Sequence, residues 1–233
     1  TKTVELERNF KGSGAIQSPE ITVEENMGQW LRGLWHLNGN GEDATGANND
    51  GTLQSGLACS VSGVFNQACD FDGSSEYILM RNKHAIADSD SFSIAFWFSA
   101  DSSAGIEPMY AEFNESVTDN YLFVGKDGND VVANFTNSSG SVELRGVGEA
   151  QGNTWVHVVF VKKNATHYYL YKNGVQIDSA IVSAIGGISA SNTTIGYGYV
   201  GGSEYYYDGS VDEVAVWNRP LDLVEIKNLY ERG

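Results

Sequence analysis

The chain of 233 residues is 41% hydrophobic and 12% aromatic, and its formal net charge is −16 with an isoelectric point near 4.4. A surface this acidic repels polyanions, which argues against nucleic acid as a partner. The sequence holds no apolar run of about eighteen residues or more, so it predicts no membrane insertion.

The N-terminal 32 residues are patterned as an extended segment. In "TKTVELERNF" and "SPEITVEEN" apolar residues alternate with charged or polar neighbours, which is the two-residue period of a β-strand. We predict that residues 1–32 add a strand to their own domain's sheet or to that of a neighbouring copy, with residues 1–28 as the donated part. Head-to-tail donation that closes no ring would build a filament.

Three features indicate a secreted or cell-surface protein. The sequence begins at Thr1 without an initiator methionine or an apolar signal, as expected for a mature chain whose export signal has been removed. Cys59 and Cys69 are spaced for a small disulfide loop, which forms in an oxidising compartment, and two buried thiols are the alternative. Five sequons predict N-glycosylation, at Asn114, Asn134, Asn137, Asn164 and Asn192.

Apolar or alternating runs recur along most of the chain, separated by turns rich in Gly, Asn, Asp and Ser. These runs cover residues 76–80, 92–99, 109–113, 121–126, 130–136, 155–163, 167–178, 192–198 and 210–217. Asn173-Gly174 between two such arms predicts a tight hairpin, because both central turn positions need positive φ. One short C-terminal helix is also predicted, where Asp222 and Glu225 have capping-box spacing. Many strands with one helix predict an all-β, two-sheet antiparallel sandwich or jelly roll.

Six segments then stand in an order that is typical of one family. They are "GLWHLNGNGEDATGANNDGTLQSG" at 33–56, "ACDFDGSSEYILM" at 68–80, "SFSIAFWFSA" at 91–100, "NTWVHVVFVKKN" at 153–164, "YYLYKNGVQIDSA" at 168–180 and "YDGSVDEVAVWNRPLDLVEIKNLYERG" at 207–233. This order resembles the laminin-G-like (LamG-like) domains of the concanavalin A-like jelly-roll family. The resemblance implies one domain over residues 33–233, built as two sheets packed face to face, with Trp97, Trp155 and Trp217 in the core.

Two acidic segments predict a structural calcium ion. "NGNGEDATGANNDG" and "DGSVDEV" supply the carboxylate and amide oxygens that calcium prefers. The resemblance implies a site where the first and last strands meet, held by Asp43 and Asp212, and Asn49 and Asp50 complete the predicted ligand set. The alternative is that these residues only shape turns, which require Asn, Asp and Gly in any case.

Catalysis is not predicted. Glycoside hydrolases of this fold carry carboxylates that alternate along one strand. Here neither Glu112 with Glu115 nor Asp212 with Glu213 has that alternation. His157, in the middle of "WVHVVFV", is interpreted as a core residue with satisfied hydrogen bonds.

Two non-enzymatic functions are predicted. In "GYGYVGGSEYYYDG" the rings of Tyr199, Tyr205, Tyr206 and Tyr207 can form a platform for a sugar, the alternative being that half of them face the core. This indicates a calcium-stabilised recognition or adhesion domain with an extracellular glycan or glycoprotein as its partner. The alternative is a structural subunit of a surface filament or layer, assembled from copies of the chain by donation of the N-terminal strand.

Overall fold

A computed structural model of the chain describes residues 25–80, 86–101, 105–150 and 152–233. Within these residues the chain is built almost entirely from strands. In order, the elements are α1 Glu25–Gly28, β1 Leu31–Trp35, β2 Gly51–Leu53, β3 Ala58–Ser62, β4 Gln67–Asp72, β5 Ile78–Met80, β6 Phe92–Ala100, β7 Ile106–Phe113, β8 Tyr121–Asp127, β9 Asp130–Asn137, β10 Gly140–Gly146, β11 Val156–Lys162, β12 His167–Lys172, β13 Val175–Ile181, β14 Asn192–Ile195, β15 Tyr197–Val200, β16 Ser203–Tyr206, β17 Asp208–Trp217 and α2 Leu223–Glu231.

The strands form two large sheets whose inner faces make the core. The eight-stranded sheet has the order β13-β12-β11-β6-β17-β4-β3, with β1 also paired to β17, and the seven-stranded sheet has the order β10-β9-β8-β7-β14-β5-β2. All of these pairs are antiparallel, and the apolar residues that alternate along each strand meet between the sheets. The predicted all-β jelly-roll sandwich is confirmed.

Strand β17 lies at the centre of the eight-stranded sheet. It pairs with β6 along one edge, and along the other edge with β4 through residues 208–211 and then with β1 through residues 214–217. The change of partner coincides with a bulge after Asp212, where Glu213 takes a left-handed φ of 52°.

Two local predictions are confirmed by backbone geometry. Asn173 and Gly174 have φ of 49° and 75°, as the tight hairpin between β12 and β13 requires. The Asp222 side chain accepts hydrogen bonds from the backbone of Val224 and Glu225, and the Glu225 side chain accepts one from the backbone of Asp222. The capped helix α2 packs its apolar side on the outer face of the eight-stranded sheet.

Replacing Asp222 by alanine is expected to lower the free energy of unfolding by about 1 kcal/mol, because two helical N–H groups lose their acceptor. Urea unfolding of the variant and the parent protein measures this. Leu223→Ala, at an exposed position of the same turn, is the matched control and should change stability little. Equal losses in both variants would contradict the capping argument.

The N-terminal boundary differs from the prediction. Glu25–Gly28 form one helical turn, and β1 starts at Leu31 and pairs with β17, so residues 25–32 are not an extended segment outside the domain. Met27 is buried against the outer face of the eight-stranded sheet, which ties this turn to the sandwich. Residues 1–24 lie outside the described residues, and strand donation stays a prediction.

A disulfide joins Cys59 on β3 to Cys69 on β4, so the alternative of two buried thiols is wrong. The bond closes a loop of ten residues at the edge of the eight-stranded sheet, where β3 has a single strand neighbour. Among the residues with described structure, no helix has the length and apolar character needed to cross a membrane.

Replacing both cysteines by serine is expected to lower the free energy of unfolding by about 3 kcal/mol, because the closed loop no longer restricts the unfolded chain. Denaturant unfolding with and without reductant measures the effect. The parent protein should fall to the stability of the variant in reductant, whereas the variant should not respond. A parent protein indifferent to reductant would contradict this expectation.

Candidate functional site

Strands β15 and β16 form a tyrosine hairpin (residues 197–206) that lies on the outer face of the seven-stranded sheet, against β7 and β8. The chain enters the hairpin through Gly196, whose φ is 83° and where a Cβ atom would lie 2.4 Å from the ring of Phe71. Only glycine fits this turn. The hairpin is anchored by Tyr197, whose ring meets that of Phe113 edge-on at 5.4 Å and lies 4.8 Å from that of Tyr206.

Three of the four predicted ligand-binding tyrosines lie in this hairpin and keep part of their rings in solvent. Tyr199, Tyr205 and Tyr206 are half-buried on the aromatic cluster of the outer face. Partial burial, followed by the nearby carboxylate of Glu204, raises the pKa of Tyr206, so its hydroxyl stays protonated and can donate.

Tyr207 corrects the prediction. Its side chain is fully buried, and its hydroxyl donates to the carbonyl oxygen of Ser99 at 2.7 Å and to that of Ser210 at 3.3 Å. The ring packs against Phe71, with the centroids 6.0 Å apart. Tyr207 is therefore a core residue and cannot stack on a ligand from solvent.

Two tyrosines that the sequence reasoning did not select complete the surface. Tyr77 lies 5.1 Å from the ring of Tyr197, and Tyr121 stacks on Phe123 with centroids 6.4 Å apart. Both are half-buried and belong to the same cluster as the hairpin. We call the half-buried rings of Tyr77, Tyr121, Tyr199, Tyr205 and Tyr206 the aromatic face.

A polar row on β9 and β10 begins directly beside the aromatic face, because Thr136 is the register partner of Tyr121. The Thr136 hydroxyl donates to Asn134 Oδ1 at 2.7 Å, and Asn134 Nδ2 donates to Glu143 Oε2 at 3.3 Å. Arg145 Nε donates to the other oxygen of Glu143 at 3.0 Å. These contacts hold hydrogen-bonding side chains in fixed positions on an open sheet surface.

The charge around this surface is negative. Arg145 also donates to Asp127 and Asp130, each at 2.9 Å, and these carboxylates raise the pKa of its guanidinium above the usual range. On the opposite side of the aromatic face, Asn192 Nδ2 donates to Glu115 Oε1 at 3.2 Å. The positive charge of Arg145, which belongs to the polar row, is thus already balanced by carboxylates.

Of the predicted calcium ligands, Asp43, Asn49 and Asp50 lie in one loop, where their side chains make hydrogen bonds. The Asp43 carboxylate accepts from the backbone N–H groups of Leu34, Thr45 and Asn49 and from the Thr45 hydroxyl, so both its oxygens serve the loop. Asp50 Oδ1 accepts from the backbone N–H of Asp43. Asn49 is buried, and its amide donates to the carbonyl oxygen of Arg32.

Asp212 lies apart from that loop, fully buried, with Oδ2 accepting from the backbone N–H of Phe65 at 2.9 Å. Across the described ranges, no three acidic, histidine or cysteine side chains are grouped as a metal site. Calcium binding stays a prediction.

The carboxylate pairs considered for catalysis have separate structural partners. Glu112 is buried and accepts from the backbone N–H groups of Ile86 and Ala87 and from the Tyr110 hydroxyl, while Glu115 accepts from Asn192 on the surface. Burial raises the pKa of Glu112 to about 7. Glu213 binds the His36 ring at 2.8 Å, away from the Phe65 contact of its neighbour Asp212.

The five sequons differ in accessibility. Asn164 is exposed, and Asn114, Asn134 and Asn192 are half-buried. Asn137 is buried and its amide nitrogen donates to the carbonyl oxygens of Gly186 and Gly187, so the placement argues against glycosylation at Asn137 in the folded chain. Glycosylation at the other four sequons stays a prediction.

Comparison with known families identifies the chain's relatives. Residues 72–227 match the family model described as the concanavalin A-like lectin/glucanases superfamily. This match covers well over half of the chain, and the chain belongs to that superfamily. No curated protein sequence matches it.

Solved structures share the fold at low identity. Domain 4 of AbnA, an extracellular arabinanase of Geobacillus stearothermophilus in complex with arabinotriose, superposes with a TM-score of 0.72 at 18% identity, covering 86% of this chain and 98% of that one. The CBM40 of a Ruminococcus gnavus sialidase bound to α2,3-sialyllactose superposes with a TM-score of 0.56 at 17% identity, covering 64% of this chain and 85% of that one. The binding domain of botulinum neurotoxin DC in complex with SialylT superposes with a TM-score of 0.61 at 16% identity. The superposition covers 88% of this chain and 52% of that one, so the chain spans about half of that domain.

Proposed function

We propose that this domain is a non-enzymatic, extracellular glycan-binding module. The observation that carries the proposal is the half-exposed aromatic face on the seven-stranded sheet, which borders the polar row without a gap. A pyranose or furanose ring presents C–H groups on its faces and hydroxyl groups on its rim. Tyrosine rings complement the C–H groups of the sugar faces, and the side chains of the polar row complement the hydroxyl groups of the rim.

The preferred glycan is neutral. Glu115, Glu143 and Glu204 flank the aromatic face, and Arg145 is already held by three carboxylates. An anionic sugar would meet unfavourable electrostatics here, and the net charge of −16 adds to the repulsion. A neutral sugar carries no charge, so it needs no positively charged partner at this surface.

Two further observations support the proposal. The proteins of similar fold include one in complex with arabinotriose and one bound to sialyllactose, so this sandwich accommodates sugars in other chains. The Cys59–Cys69 disulfide is typical of proteins that fold in an oxidising compartment, which agrees with an extracellular role.

A glycan microarray that carries neutral plant, bacterial and host oligosaccharides beside sialylated ones tests the proposal. We expect binding to a subset of neutral glycans, with weaker or no signal for their sialylated counterparts. Isothermal titration with the best neutral oligosaccharide then gives the affinity in solution. A protein that binds no glycan on the array and none in titration would overturn the proposed function.

A further inference from the structure

A second recess lies on the opposite side of the sandwich, on the outer face of the eight-stranded sheet. It is an open cleft of about 550 Å³ beside the C-terminal end of α2. Trp97, Trp155 and Tyr230 supply its aromatic lining, and Asn173 and Glu231 supply polar groups. The family resemblance implied that Trp155 is a core residue, but it is half-buried and borders this cleft.

The residues beneath the cleft form one row across three adjacent strands. His157 of β11 is the register partner of Trp97 of β6, and Trp97 is the register partner of Asp212 of β17. The Trp97 and His157 rings are 5.0 Å apart, and Tyr230 stacks on Trp97 at 5.7 Å. The three side chains of the row are at most 5% exposed.

Unpartnered polar atoms are concentrated in this row. Trp97 Nε1, His157 Nδ1 and Nε2, and Asp212 Oδ1 are buried without a hydrogen-bond partner, and they are four of the six such atoms in the described ranges. Folded proteins pair nearly all buried polar groups, and Trp97 also lines the cleft, so its indole N–H is placed where a bound molecule can pair it. His157 is buried as predicted, but its two ring nitrogens have no hydrogen-bond partner, so the prediction that they are satisfied is wrong.

His157 is uncharged near neutral pH, because burial lowers its pKa to about 3. The indole N–H of Trp97 and the neutral imidazole of His157, with one donor and one acceptor, are therefore the polar groups beneath the cleft. Neutral groups of mixed donor and acceptor character match hydroxyl groups, each of which both donates and accepts.

We propose that this cleft is a second saccharide-binding site, separate from the aromatic face and specific for a single neutral sugar ring. Trp155 is the stacking platform, and Trp97, the one residue of the row that lines the cleft, donates its Nε1–H to a sugar hydroxyl group. A fully apolar ligand would leave Trp97 Nε1 unpaired, and an anion would be repelled by Glu231 at the wall of the cleft. The proposal does not depend on sugar binding at the aromatic face.

The test uses the full chain carrying Tyr121→Ala, so that the aromatic face is weakened and the remaining signal reports the cleft. The probes are glucose, galactose, mannose, N-acetylglucosamine, xylose and arabinose, each titrated while tryptophan fluorescence and the imidazole nitrogen resonances of His157 are recorded. We expect at least one sugar to change both signals. We expect Trp155→Ala to weaken that response at least tenfold.

Trp30→Ala is the matched control, because Trp30 is 41% exposed and lies outside the cleft. It should leave the affinity unchanged, and Trp155→Phe should retain most of it. The proposal is overturned if no sugar of the panel shifts the His157 resonances, or if Trp155→Ala binds as the parent does. The first result would mean that ordered water alone pairs the buried polar atoms of Trp97, His157 and Asp212. Neither result bears on glycan binding at the aromatic face.

Discussion

Replacing Tyr121 by alanine is expected to lower the affinity for a neutral glycan by about tenfold or more. The Tyr121 ring lies between the tyrosine hairpin and the polar row, stacked on Phe123 and in register with Thr136, so a sugar that uses both surfaces must cover it. A tenfold loss corresponds to about 1.4 kcal/mol, which is the scale of one aromatic contact. Isothermal titration of the variant and the parent protein measures the ratio.

Two further variants make this result specific. Tyr121→Phe keeps the ring and should retain most of the affinity, and Tyr199→Ala should weaken binding from the hairpin side. Tyr169→Ala is the matched control, because Tyr169 is partly buried on the outer face of the eight-stranded sheet. Equal affinities in the Tyr121→Ala variant and the parent protein would remove the aromatic face as the contact surface.

The stability of the protein is expected to increase as the pH falls from 8 to 5, and Asp212→Asn should abolish most of this dependence. Burial raises the pKa of Asp212 from 3.8 to about 8, so the folded protein holds a proton that the unfolded chain releases. The stabilisation is complete below about pH 4 and is lost as the pH rises toward 8. Each pH unit inside that window changes the free energy of unfolding by about 1.4 kcal/mol.

Two other buried groups shape the same profile. Glu112, whose pKa is raised by burial to about 7, adds to the gain in stability between pH 7 and its ordinary pKa of 4.5. His157 lowers the stability as the pH falls below about 6.5, because its pKa is lowered in the folded protein and only the unfolded chain binds the proton there. The slope should therefore be steepest near pH 7 and flatten in acid.

Urea unfolding at pH 5, 6.5 and 8 measures the effect of Asp212→Asn. The excess in stability of the variant over the parent protein should be smallest at pH 5 and largest at pH 8, since the amide stays neutral while Asp212 of the unfolded parent chain ionises above about pH 4. Asp119→Asn, at an exposed loop position, is the control and should shift all three values equally. A difference between Asp212→Asn and the parent protein that is constant with pH would refute the buried neutral carboxyl.

The sequence predicted those strands in which apolar residues alternate or run together, such as β6 and β11, because inner-face burial produces that pattern directly. It did not predict β3, where most side chains are exposed, or β10, which carries only two large apolar side chains, Val142 and Leu144, among polar residues and glycines. The hairpin at Asn173-Gly174 was predictable because positive φ restricts which residues fit. The helical turn Glu25–Gly28 carries no comparable signal.

The two candidate sites were less predictable for a physical reason. The sequence pattern indicated tyrosines at residues 199–207, but which ring faces solvent depends on where β16 ends and β17 begins, and Tyr207 falls on the buried side. The row of Trp97, His157 and Asp212 joins strands that are far apart in the chain. Only the register of the eight-stranded sheet brings its unpaired atoms together.

The arrangement of β17 has a mechanical consequence. Hydrogen bonds of antiparallel ladders run across the strands, so tension along β17 would load its ladder to β6 and its ladders to β4 and β1 in shear, all at once. The two strands of the tyrosine hairpin pair with each other, and side-chain packing holds them on the seven-stranded sheet, so they would detach under less force than the ladders of β17. Tension along β17 would therefore displace the hairpin before the sandwich ruptured.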